Sequence, residues 1–126
     1  MNPTVAKILR TALRDVVANG TAKRVDGAFI APNGTPLLIG GKTGTGDHRF
    51  DEYGKGGELI SSRVVNRTAT LVFYIGDRFF GSITAFVSGE QAANYHFTSA
   101  LPSQMLRALA PSLSPLLNEQ KISHNE

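Results

Sequence analysis

The stretch "RVVNRTATLVFYIGDRFFGSITAFVS", residues 63–88, decides the fold. From Arg63 to Ile75 the apolar side chains alternate. Val65, Ala69, Leu71, Phe73 and Ile75 share one face, and only Arg67 interrupts it. Period-two alternation marks a strand with one buried face. Gly76-Asp77-Arg78 reads as a turn. Phe79–Ser88 is then a second strand, with Ile83, Ala85 and Val87 on one side. The two are predicted to pair as an antiparallel hairpin.

Upstream of the hairpin, Pro36–Thr45 is a third strand. Its "LLI" run is apolar, and the pair Gly40-Gly41 permits a bulge or a close backbone approach. Gly46–Ile60, rich in glycine and charge, is predicted to be a loop. Residues 21–35 are mixed, with a short extended piece at Ala28–Ile30 and a "PNGTP" turn. At the start of the chain, Val5, Ile8, Leu9, Ala12, Leu13, Val16 and Val17 fall at helical spacings. They predict a helix over 4–19, with Thr4 as N-cap and Gly20 as the terminal glycine. Ser99–Ala110 closes the fold as a second helix, with Leu101, Met105, Leu106 and Leu109 on one side. Pro111 and Pro115 are expected to break it, and residues 118–126 to fray.

The expected architecture is α+β: a three-stranded antiparallel sheet flanked by N- and C-terminal helices. So small a sheet leaves its apolar hairpin with an open edge. Such an edge normally has a partner or a cover, so part of the structure is expected to lie in other residues.

The bulk numbers exclude some classes of function. A chain of 126 residues is one domain's worth. Its net charge of +3 comes from basic residues spread along the sequence. Nucleic-acid binding wants clustered charge and exposed stacking aromatics, so no nucleic-acid partner is expected. There is no cysteine, hence no disulfide and no thiolate metal site. No signal peptide is read at the N-terminus, and the longest apolar run, Ala69–Ile75, is too short to span a bilayer.

The chemistry concentrates in "LLIGGKTGTGDHRF", residues 37–50. A P-loop would need glycine six places before Lys42, but Pro36 stands there. Gly44, Gly46 and Asp47 also oppose the helix that a P-loop requires next. A glycine-rich strand end with an exposed lysine is the plain alternative. Against it stand the apolar strand, the hydroxyls on both sides of Gly44 and the hairpin downstream.

In "GGKTGTGD", in the "LRDVVANGTAKRV" helix and turn, in the hairpin and in "YHFTSALPSQMLRALAP", the chain resembles the penicillin-binding transpeptidases. These acyl-serine enzymes are related to the serine β-lactamases, and their Lys-Thr-Gly box lies on a strand edging the active site. The resemblance covers residues 4–111. Its downstream half is more similar to bifunctional glycosyltransferase–transpeptidases than to β-lactamases. It implies a partial β-lactamase/transpeptidase-like fold, with residues 1–117 as the C-terminal portion of a transpeptidase domain. Thr43 and Thr45, two apart on a strand, present hydroxyls on one side. The resemblance implies that they bind the carboxylate of a peptidoglycan stem peptide or a β-lactam. Lys42 would supply positive potential, and the backbone N–H of Thr45 one oxyanion-hole donor. Gly44 would leave room for the substrate backbone, and Gly46 belongs to the same substrate-binding stretch. No cofactor and no metal is implied.

The nucleophile is missing. No serine in the chain has a lysine three places on, so the family's Ser-x-x-Lys box is absent. Thr4-Val5-Ala6-Lys7 is a threonine at the wrong end. Ser123-His124-Asn125 matches the second box, Ser-x-Asn, only in letters, because in the family that box precedes Lys-Thr-Gly. Both boxes would lie in the upstream part of the same domain, along with any membrane anchor, and the complete protein would work at the periplasmic face of the bacterial inner membrane. The chain alone is expected to be inactive.

Other clusters point nowhere specific. His48, His96 and His124 are scattered. Asp47, Asp51, Glu52 and Glu58 read as loop carboxylates without the fixed separation that glycoside hydrolysis requires. Asp47-His48-Arg49 lies near the expected cleft, with no role fixed by the family. Tyr95, His96 and Phe97 are expected to pack where the closing helix starts. The rival reading is a non-catalytic module that binds a peptide or a protein along its exposed strand edge.

Overall fold

A computed structural model describes residues 1–119 of the chain. Helix α1 spans Pro3–Ala18, strand β1 Ile39–Tyr53, β2 Leu59–Ile75, β3 Phe79–Ser88 and helix α2 Ala100–Glu119. Short 3-10 turns lie at Lys23–Val25 and Glu90–Asn94. The strands form one antiparallel sheet in the order β1-β2-β3, so the architecture is α+β with a helix at each end of the chain.

The hairpin is the expected one. β2 and β3 pair without a break from Asn66↔Ser88 to Ile75↔Phe79. Leu71 and Ile75 point to the core with Ile39 of β1, and Phe73, Phe79 and Ile83 pack against it. Leu106 and Ala110 of α2 press on this face, and Val17 of α1, Val25 and Phe29 complete the cluster. α1 lies beside β1. Its Arg14 donates to the Ile39 carbonyl at 3.3 Å, and its Arg10 clamps the β2–β3 turn through Gly76 O (2.6 Å) and Asp77 (2.7 Å).

Several boundaries move. Residues 46–53 continue β1 rather than forming a loop, and β2 begins at Leu59. Both faces of this distal ribbon are largely exposed, so no apolar alternation marks it in the sequence. It is held instead by the ladder and by polar cross-strand pairs, Arg49 with Ser62 at 2.9 Å and Ser61 with Glu52 at 3.2 Å. β1 starts at Ile39 rather than Pro36; before it, Ile30 and Pro36 make one isolated bridge.

At α1 the cap is Asn2, whose side chain accepts from Thr4 N at 2.8 Å, with Pro3 in the first turn. Asn19 closes the helix, and Gly20 serves a close approach: a Cβ there would lie 2.9 Å from the Val16 carbonyl oxygen.

α2 continues past Pro111 and Pro115 instead of ending there. Each interior proline costs about 3 kcal/mol. The apolar stripe, however, continues at helical spacing from Leu106 and Ala110 to Leu113 and Leu117, all packed on or against the core. Burying that stripe offsets the lost backbone bonds. Asn118 and Glu119, expected in the tail, are helical; residues 120–126 lie outside the described range.

The other face of the sheet is barely covered. α1 reaches it at one end, where the Tyr74 hydroxyl donates to Arg10 O at 3.0 Å beneath the Arg10 guanidinium and Leu13 borders a hollow with Val72 and Phe80. Val72, Phe80 and Phe86 stand exposed there, Phe80 at 88%. Among the described residues no helix is long and apolar enough to cross a membrane.

Candidate functional site

The Lys-Thr-Gly stretch lies in the first half of β1, an outer strand of the sheet. The residues just before it are tightly constrained. Gly40 and Gly41 are buried, and a Cβ on Gly41 would sit 2.5 Å from the Val72 carbonyl oxygen. The two glycines let β1 lie close against β2 just where the site begins. Past Thr43 the strand opens. Side chains built on Gly44 or Gly46 would meet nothing within 4 Å.

Strand alternation sorts the five residues between the two faces. Lys42, Gly44 and Gly46 belong to the open face. Thr43 and Thr45 share the helix-covered one. Both hydroxyls are engaged there: Thr43 Oγ1 shares a hydrogen bond with Thr21 Oγ1 at 2.6 Å, and Thr45 Oγ1 accepts from the backbone N–H of Ser99 at 3.0 Å. Thr43 is buried at 8% exposure, while Thr45 is exposed. Lys42 is exposed and donates from Nζ to the carbonyl of its neighbour Thr43 at 2.6 Å.

Two hollows meet at Thr45-Gly46-Asp47. One, of ≈ 370 Å³, lies over Gly44 and Gly46 and is bordered by His48, Asn66, Thr68 and Thr70. The other, of ≈ 330 Å³, is bordered by Arg67, His96, Phe97 and Thr98. The distal half of the motif is therefore a thin wall, one strand thick, between two hollows. Hydroxyls, amides and ring nitrogens line it, suited to hydrogen-bonding an extended polar ligand.

Arg67 is the residue that reading the sequence undervalued. It appeared only as a break in the apolar face of β2. It stands directly opposite Asp47 in the ladder and forms an ion pair with it at 3.0 Å, with side chains only 15% and 28% exposed. Its Nε is the one buried polar side-chain atom without a partner among the described residues. The signal was present: a lone charge on an otherwise apolar strand face needs a counter-charge. Finding that charge required the β1–β2 register, which the loop assignment of 46–60 concealed. His96 and Phe97 border the second hollow beside Thr45, while Tyr95 is exposed. His48 Nδ1 is 3.1 Å from Asn66 Oδ1, and Asp51 and Glu52 sit farther out on the ribbon.

Thr45 also joins the site to the fold. Its hydroxyl ties the start of α2 to β1 across 54 positions of chain. Thr45→Val keeps the shape and removes the acceptor, leaving the Ser99 N–H without it. We expect a loss of about 1 kcal/mol in urea unfolding, with faster amide exchange at Ser99 and Ala100. Unchanged exchange would show that α2 does not depend on this anchor.

No protein-family model matches the chain, and no curated protein matches it significantly.

Proposed function

We propose that this chain is the C-terminal portion of a peptidoglycan DD-transpeptidase domain, and that it supplies the Lys42-Thr43-Gly44 wall of a penicillin-binding site. The observation that carries the reading is the geometry of β1. The triplet sits on an outer strand, with two glycines before it packed against β2, while Gly44 and Gly46 face open space. A substrate backbone lying along such a strand has hydrogen-bonding groups beside it and no side chain in its way at Gly44 and Gly46.

In this reading Lys42 contributes positive potential and a donor to the neighbouring catalytic groups. The backbone N–H of Thr45 is one of two donors to the oxyanion; one such donor is worth about 3 kcal/mol in the transition state. The carboxylate of the stem peptide or β-lactam takes hydrogen bonds from Thr43 and Thr45. Thr45, which borders both hollows and accepts from Ser99 N–H, keeps its own proton to donate, whereas Thr43 is buried against Thr21 and would have to exchange that partner for the carboxylate.

The acyl-accepting serine and its lysine belong to the upstream lobe of the domain. Three uncovered surfaces support a missing lobe: the Val72–Phe80–Phe86 face, the outer edge of β3, and the outward Val5, Ile8 and Leu9 of α1. The complete protein would act at the periplasmic face of the inner membrane.

The test is labelling with a fluorescent penicillin, on this chain and on the chain extended upstream through a Ser-x-x-Lys box. We expect covalent label on the extended chain alone. Label on the 126-residue chain would reveal a different nucleophile. Label on neither would replace the enzyme reading with that of a module binding a peptide along a strand edge.

A further inference from the structure

The two outer strands of the sheet are built on opposite principles. The distal half of β1 carries Asp47, His48, Arg49, Asp51 and Glu52, and its pairing shifts register at His48/Arg49 and again at Glu52/Tyr53. Charges and bulges are the usual devices that stop a strand edge from recruiting another strand. β3 has neither. Its ten residues, FFGSITAFVS, include no charge and no proline, and they pair with β2 in unbroken register. Among the described residues this outer strand is thus regular, uncharged and unpaired on one side, with Phe80 and Phe86 exposed along it.

The sequence of β3 also complements itself. Set antiparallel to a second copy about Ile83, Phe80 comes opposite the partner's Phe86, and Ser82 opposite the partner's Thr84. Aromatic meets aromatic, and hydroxyl meets hydroxyl, on the open face of the sheet; Ile83 meets the partner's Ile83 on the other. No like charges are brought together anywhere along it.

The geometry points to a two-fold dimer of this chain in which β3 pairs with β3 and the two sheets become one of six strands. The contact is isologous, so each copy uses up its β3 edge in the pair and assembly through that edge stops at two. In a longer chain whose own upstream strand occupies β3, the dimer would not form.

Sedimentation equilibrium on the 126-residue chain tests this, with two variants. The wild type is expected to rise to twice the chain mass with concentration. Ser82→Lys, which puts a charge on an exposed edge position, is expected to stay at the monomer mass. Because the chain has no cysteine, the Ser82→Cys/Thr84→Cys double variant gives a clean register test. On mild oxidation it should become a covalently linked dimer on a denaturing gel, whereas Ser82→Cys alone should not. A wild type monomeric at every concentration would overturn the proposal. So would masses growing beyond two, a Ser82→Lys dimer, or a double variant that stays unlinked. Penicillin labelling uses the extended chain and does not depend on this contact, so either proposal can fail while the other stands.

Discussion

Phe29→Ala is expected to cost about 3–5 kcal/mol, the range for emptying a large aromatic site in a core. Phe29 has no exposed surface and packs with Val17, Val25, Ile39, Leu71 and Leu106, joining both helices to the sheet. Its own carbonyl accepts from Leu37 N at 2.9 Å, so the side chain is fixed by backbone on a segment with little regular structure. A domain of this kind has about 5–15 kcal/mol in total. One open sheet face and an unpaired edge place this chain toward the lower end, and the variant should be largely unfolded without a stabilising partner. Phe50→Ala is the control. Phe50 is 53% exposed and stacks under Arg63 on the distal ribbon, outside the core cluster, so its loss should stay within about 0.5 kcal/mol. Urea midpoints for the two variants decide the matter. Similar shifts would mean that residues 21–38 are not docked as described.

How far the sequence reaches is visible in the same segment. Phe29, one of the largest fully buried side chains, lies in the stretch that read as mixed, because a lone aromatic between turns carries no period. Where one face is buried the pattern was legible: the β2–β3 hairpin and both helices emerge from alternation and helical spacing. Where both faces meet solvent it was not, and residues 46–53 looked like a loop though they form the outer half of β1. α2 outran its prolines because Leu113 and Leu117 find the core, a tertiary gain that local propensity does not contain. The site divides in the same way. Lys42 to Gly46 stand together as a contiguous motif. The Arg67–Asp47 pair and the approach of His96 depend on register and on the path of the chain between β3 and α2.

The glycines around Lys42 separate fold from function most sharply. A methyl group on Gly41 would lie 2.5 Å from a carbonyl oxygen of the adjacent strand, which cannot swing away as a side chain can. Gly41→Ala should therefore destabilise by about 1–3 kcal/mol, as overpacking does, and impair every property of the chain together. Gly44 is the reverse case. Nothing lies within 4 Å of a Cβ there, and alanine in an extended segment is favoured over glycine by roughly 0.5–1 kcal/mol. If stability alone governed this position, Gly44→Ala would be neutral or better. In the proposed site the space above Gly44 is where the acyl donor's backbone lies. A methyl group there displaces it by about an ångström, which is worth about 10²-fold in rate. In the extended chain, with the penicillin-binding site proposed above, Gly44→Ala should unfold at the same or a higher urea concentration and acylate about 10²-fold more slowly. Unaltered acylation would show that the substrate does not run along this strand, and Lys42–Gly46 would lose its place as the wall of the site. A loss of stability would mean that the space above Gly44 is filled in the complete domain, by protein rather than by substrate.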